Sequence, residues 1–396
     1  MGTFCELSIN DYDLFDIKNG YQKEIIDLIF NKSDFIIEKE IGNDYVSKKF
    51  VSKVSICKKR LEIYGNTLHK SKIDFTNSLK KYKAEYDVVF DNEDEISYKL
   101  YQQIIKRNIE SKLRIYDECD NPISENFEEF IKSNNFGVPY QSLECLLWSI
   151  FDSIDQDYNV VYDLTNIIES GWITSNPEKE IEIQKIIILT EGKTDTEFIK
   201  KGLNIFYPFL KEHYHFMDFE NSNYESSASR LVQTVKAFVG SGIKNRIIAL
   251  FDNDTAGTKE INNLKKTKLP DNIKVFKYPK NDLAKDYPTQ GPNGLIQMDV
   301  NNLGCSIEMY LGKKSLKLED KYQPVQWKGY DEKLEQYQGE VRNKKKIQEY
   351  FRNQIKEKRI TSENAQNEIP ELKKIVDLIL NAWHNNDTTT PYKINA

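Results

Sequence analysis

Histidine, cysteine and long apolar runs are all scarce in this chain. Only four histidines and five cysteines occur in 396 residues. Cys5, Cys57, Cys119, Cys145 and Cys305 are scattered, odd in number and never arranged as C-x-x-C. This excludes a zinc ribbon and a disulfide framework, and makes a reducing, cytoplasmic compartment the expectation. His213-x-His215 has no cysteine or third histidine nearby, so the two are expected to be surface residues rather than metal ligands. Apolar stretches such as CLLWSIF at 145–151 are too short to cross a bilayer, and no membrane association is expected. The opening MGTFCELS lacks a basic stretch leading into an apolar core, which argues against a signal peptide. Glu6 stands where an N-myristoylation motif has Ser or Thr. No G-x-x-x-x-G-K-[ST] P-loop occurs, so an ATPase needed by this chain would be a separate protein. With a net charge of −6, nucleic-acid binding would need a local basic patch.

Core material, by contrast, is ample. Hydrophobic residues make up 39%, with 23 Tyr and 20 Phe, enough for a globular protein of two or three domains. Three regions are expected. Residues 1–180 read as a strand hairpin, closed by the Asn19-Gly20 turn signal, followed by helices. Ile96, Leu100, Ile104, Ile105, Ile109 and Leu113 form one helical stripe, and 139–154 reads as a second, more buried helix. ESGWITSNPEKE (169–180) has linker composition. Residues 181–312 alternate strand, helix, strand, helix, strand, which predicts an α/β, Rossmann-like parallel sheet. Residues 313–396 read as a charged, helical C-terminal extension.

The strand IIILT (186–190) stops abruptly at Glu191-Gly192, and RIIALF (246–251) stops at Asp252-Asn253-Asp254. In a parallel sheet, functional groups sit just past the carboxyl ends of the strands. Extended residues i and i+2 point to the same side, so Asp252 and Asp254 can face one point. If the two strands are neighbours, Glu191 joins them. Carboxylates so close need protons or a cation, and hard oxygen ligands favour Mg²⁺ or Mn²⁺. Lys193 follows at once and suits a phosphate; Asp195, on the first turn of the next helix, is within reach of the water shell of such an ion. The plainer alternative is that these acids are strand-end polar residues and helix caps, Asp254 before TAGTKE above all.

At ILTEGKTD and ALFDNDTAG the chain resembles the Toprim family, the catalytic domain shared by primases, topoisomerases and nucleases of the overcoming-lysogenization-defect type. The resemblance implies that Glu191, Asp252 and Asp254 are metal-site residues and that Glu191 also moves a proton. Defence-type Toprim nucleases often carry a further acid, matched by Glu308 in SIEMYLG, for which a capping role is the alternative. They also use a basic residue downstream, for which Lys344, Lys345 and Lys346 are candidates; a solvated helix face is the plainer reading of the lysines. MGTFCELSINDYDLFD, KRLEIYGNTL (59–68) and DYPTQGPNG extend the resemblance to proteins described as HEPN/Toprim-associated. HEPN ribonucleases carry Arg-x(4–6)-His, and no such spacing precedes His69, His213, His215 or His384. The resemblance therefore implies a Mg²⁺- or Mn²⁺-dependent endonuclease acting on DNA or RNA in bacterial antiviral defence. A primase-like nucleotidyltransferase and a non-catalytic nucleic-acid-binding or sensor module are the alternatives. A separate sensor or ATPase partner and a homo-oligomer stay open.

Overall fold

The computed structural model describes residues 3–39, 46–91, 93–112, 126–217, 227–292 and 294–384. The chain divides into two compact units, the first over Met1–Ile183 with Trp383–Asn386, the second over Gln184–Ala382. No helix among the described residues is long and apolar enough to cross a membrane.

The first unit holds a five-stranded antiparallel sheet. Its strands are β1 (Phe4–Ile9), β2 (Tyr12–Lys18), β3 (Phe35–Lys39), β4 (Val46–Lys53) and β5 (Asn159–Asp163), in the order β2-β1-β5-β4-β3. The hairpin expected at the start is present, but its turn is Asn10-Asp11. Both residues have positive φ (52° and 62°), the geometry whose twist matches an antiparallel pair. Asn19-Gly20 follows β2 instead. Around the sheet lie α1 (Lys23–Ile29), α2 (Val54–Glu62), α3 (Leu68–Tyr86), α4 (Tyr98–Ser111), α5 (Phe127–Ser133), α6 (Leu143–Ser153) and α7 (Thr165–Glu169). The stripe falls on α4 from Leu100 to Ile109; Ile96 lies just before the helix, and Leu113 lies outside the described residues. Helix α6 is buried at every position from Cys145 to Phe151, because α2, α3 and α4 all pack on it. Cys5, Cys57, Cys145 and Cys305, the described cysteines, are buried and unpaired.

The second unit opens with the parallel sheet expected from the alternating text. Its strands β6 (Ile186–Thr190), β7 (Tyr214–Phe216), β8 (Ile247–Phe251) and β10 (Ile273–Lys277) lie in the order β10-β8-β6-β7. Between β8 and β10 lies a two-residue strand, β9 (Asn253–Asp254). Helices α8 (Lys193–Phe206), α9 (Ala228–Ser241) and α10 (Thr255–Leu264) connect the strands. On one face, Leu189, Ile247, Ala249 and Phe251 pack on Leu231 and Val235 of α9 and on Ile261 and Leu264 of α10. All five side chains of β8 are buried, as a strand covered on both faces requires.

The region past residue 312 corrects the expectation of a helical extension. It adds strands β14 (Lys317–Leu318), β15 (Lys321–Tyr322), β16 (Val325–Asp331) and β17 (Gln336–Val341) before α11 (Lys344–Lys356), α12 (Ala365–Glu368) and α13 (Pro370–Leu380). With β11 (Tyr287–Gly291) and β12 (Gly294–Met298), β16 and β17 form a second sheet, ordered β12-β11-β16-β17. The segments VQWKGYD and QYQGEV are rich in Val, Tyr and Trp, residues that favour a pleated surface. Their charged surroundings disguise them in the sequence. A further short strand, β13 (Gly304–Cys305), pairs antiparallel with β9. Helix α13 packs back on α8, with Leu372 against Gly202.

Candidate functional site

Strands β6 and β8 are direct parallel neighbours, with Thr190 beside Leu250. Their next residues therefore leave the sheet side by side. Glu191 Oε1 accepts a hydrogen bond from the backbone N–H of Asp252 at 2.9 Å, which fastens the two strand ends together. Asp195 lies on the first turn of α8 and is 7% exposed; its Oδ1 accepts from the Tyr278 hydroxyl at 2.6 Å. Tyr278 directly follows β10, so a third parallel strand delivers a side chain to the same edge.

Asp254 is the N-cap of α10. Its Oδ1 accepts from Gly257 N–H at 2.7 Å, and its Oδ2 accepts from Gln338 Nε2 at 2.8 Å. Gln338 Oε1 in turn accepts from Ala256 N–H at 2.9 Å, so one amide from β17 braces the whole turn. Gln338→Ala would strand two part-buried polar groups. We expect a loss of about 1–3 kcal/mol, read as a lower urea midpoint at unchanged m-value. Gly257 is needed for space: a Cβ there would sit 2.4 Å from the Asp252 carbonyl oxygen. Gly257→Ala should cost a further overpacking penalty of about 1–3 kcal/mol, checked by the same measurement.

Pairing of β9 with β13 brings in the segment that carries Glu308. The Asn253 side chain joins Asn301 Oδ1 and the Asn302 N–H, locking this loop beneath the strand ends. Glu308 is 2% exposed and accepts from Ser306 Oγ at 2.6 Å and Gln348 Nε2 at 2.7 Å. Lys344 Nζ lies 3.7 Å from Glu308 Oε2 and 3.1 Å from Glu340 Oε1. Lys193 is exposed at the first position of α8, and Lys345 and Lys346 are exposed on α11. Lys344 is thus paired with an acid of this cluster. The histidine pair divides: His213 is buried and His215 exposed.

The electrostatics mark the acids as one group. Burial, reinforced by the charge of Asp254, pushes the Glu191 carboxyl up to about 8, against the opposing pull of the Asp252 N–H and Lys344. Burial also lifts Asp195 to about 6; the Tyr278 hydroxyl resists this and Glu308 adds to it. Asp252 is raised well above the usual carboxylate range by burial, then by the charges of Asp195, Glu191, Asp254 and Glu308. Lys344 is held charged, up to about 12: burial alone would lower it, but Glu308, Glu340 and Asp252 outweigh that. Such mutual destabilisation of anions is what a bound cation relieves.

The fit to a cation has a definite form. Asp252 Oδ1 is buried and, among the described residues, no hydrogen bond reaches it. A buried carboxylate oxygen left unmatched is costly, and it is the natural donor for a hard ion. No three carboxylates of the cluster, however, bring one oxygen each within 4.8 Å of one another; among the described residues, Glu6, Asp13 and Asp16 do so, on the β1–β2 hairpin of the first unit. The cluster therefore suits an ion held by one or two carboxylates with water completing its shell, the habit of Mg²⁺.

Residues 1–186 match the family model described as HEPN/Toprim N-terminal domain 1. The chain carries a HEPN/Toprim N-terminal domain. No curated protein and no solved structure matches the chain. The HEPN/Toprim N-terminal domain and the first compact unit end within a few residues of each other, at 186 and Ile183. The acidic cluster lies beyond this domain, in the second unit.

Sequence reading missed Tyr278, Gln338 and Gln348. Tyr278 had a signal, because KVFKYP is a third apolar strand and its carboxyl end is the same kind of position as Glu191. Gln338 and Gln348 had none, since each comes from a distant element of the chain.

Proposed function

We propose that the second unit is a divalent-metal-dependent phosphodiester hydrolase, an endonuclease acting on DNA or RNA, tRNA included, in bacterial antiviral defence. The observation that carries this reading is the orphaned Oδ1 of Asp252, buried at the end of a parallel strand among Glu191, Asp195, Asp254 and Glu308. The HEPN/Toprim N-terminal domain supports the biological setting. Asp252 and Glu191 would hold Mg²⁺ or Mn²⁺, with water completing the shell and Asp195 beside that water; Asp254 and Glu308, with both oxygens in protein hydrogen bonds, would fix the loops and add charge. The ion, when bound, supplies an activated water and charge neutralisation at the phosphate. Glu191, raised toward neutrality, is suited to hold and pass a proton. Lys344 is suited to receive a phosphate oxygen, with Lys193 at the rim.

Purified protein incubated with plasmid, single-stranded DNA and total tRNA should cut at least one of them with Mg²⁺ or Mn²⁺ and none in EDTA. Cleavage undiminished by EDTA would overturn the reading, as would none under any metal. That no three carboxylates of this cluster come within 4.8 Å of one another favours a second reading, a metal-free sensor module. Calorimetric titration with Mn²⁺ separates the two: no heat from either wild type or Glu191→Gln supports the sensor. A primase-like nucleotidyltransferase predicts primer synthesis from nucleoside triphosphates.

A further inference from the structure

The first turn of α11 carries Lys344, Lys345 and Lys346 and no acid. Positive charge is disfavoured at that end of a helix, where the macrodipole attracts anions. The N-cap, Asn343, has a left-handed backbone (φ 56°) and makes no side-chain cap. Helix stability would not select this sequence, and local rules are commonly broken where a site has been built.

These residues open onto a groove of about 460 Å³ in the second unit. Lys328, Arg342, Lys344, Lys345 and Lys346 line it, with Glu340 as its carboxylate. Five cations against one acid stand out in a chain of net charge −6. Glu340 is taken up by Lys344 and by Lys328, the latter at 3.6 Å. The side chains of Arg342, Lys345 and Lys346 are exposed and make no ion pair or hydrogen bond among the described residues.

The groove leads to the acids. Glu340 and Gln338 lie two apart on β17 and so share a face; Gln338 holds Asp254. At the other wall Lys344 lines the groove and pairs with Glu308. Its volume is that of a small-ligand pocket, room for a few phosphates of one strand.

We infer that this groove binds the sugar–phosphate backbone of a single nucleic-acid strand and feeds it to the acidic cluster. The destination rests on the nuclease reading; the binding does not. The full chain carrying Asp252→Ala, in EDTA, is titrated with a labelled single-stranded oligonucleotide at several salt concentrations. Adding Arg342→Gln and Lys345→Gln should weaken binding and flatten the log Kd against log salt plot by about 1.4, from about 0.7 per phosphate contact on a single strand. Lys266→Gln, on an exposed lysine outside the groove lining, should change neither. The groove variant should melt no lower than its parent, because it relieves the charge at the helix start.

An unchanged slope and affinity would overturn the groove, as would a duplex that binds equally well with the same loss of slope. A parent that binds no nucleic acid would overturn it too, and would leave an acidic protein as the ligand to seek. Flattening without any cleavage by wild type would sink the nuclease reading alone. Metal-dependent cleavage with an unflattened slope would sink the groove alone.

Discussion

Asp252→Ala is expected to abolish divalent-dependent cleavage, by about a thousandfold or more, and to make the metal-free protein harder to unfold. The first effect follows from losing a buried carboxylate oxygen of the cluster that no hydrogen bond engages among the described residues. Metal-borne charge stabilisation is worth several kcal/mol, and each ~1.4 kcal/mol is a factor of ten in rate. The second effect follows from the crowding around Asp252, where burial and four neighbouring acids oppose its charge. Removing it relieves a strain that only function justifies. Asp254→Ala should do the reverse to stability. It removes the cap of α10 and the partner of Gln338, at about 1 kcal/mol or more. Paired activity assays and thermal melts distinguish them. Full activity in Asp252→Ala, or a lower melting temperature, would show that the orphaned oxygen is no metal donor.

Raising the pH from 6 to 8 without metal should destabilise the second unit, and Mg²⁺ or Mn²⁺ should reverse this. Folded Glu191 titrates near 8 and folded Asp195 near 6, against ordinary values of 4.5 and 3.8. The folded state thus keeps protons that the unfolded chain has released. Their contribution is fully present below the ordinary values and is lost as pH rises through about 6 and then about 8. Each retained proton gives a slope of about 1.4 kcal/mol per pH unit, or a few degrees of melting temperature for a unit of this size. Asp252, also raised by burial and its acidic neighbours, acts in the same direction; Glu197 and Asp282 are lowered to about 2 by their basic partners, below the window, and buried Lys277 falls to about 8, at its upper edge. The cation favours the ionised cluster, so its stabilising effect should grow with pH. Glu191→Gln should flatten both trends. A melting temperature independent of pH between 6 and 7.5 in wild type would contradict the mutual repulsion inferred here.

Much of this was legible in the chain. The doubly covered strands 186–190 and 247–251 are short apolar runs with β-branched residues, bounded by Gly and Asp, and no other local structure suits them. Their parallel direction follows from the helices between them, so Glu191 and Asp252 could be paired across sixty residues on the condition that the strands are neighbours; the strand order, with β8 and β7 on opposite sides of β6, meets it. The capping role of Asp254 was equally visible in the text that follows it. The β16–β17 hairpin was not, because charged residues on an exposed sheet face look like those on an exposed helix until the partner strand is known. Its register puts Gln338 on Asp254, and nothing near 338 in the sequence announces that.

The order of residues alone determined where strands must end, and therefore which acids leave the core together. Whether those acids sit close, which oxygen is left without a donor, and which lysine reaches them are three-dimensional matters. They depend on strand order, on the β9–β13 pairing that carries Glu308 inward, and on where α11 begins. Local preference is a property of neighbours along the chain; hydrogen-bond satisfaction and charge coupling are properties of neighbours in space, and only folding makes those.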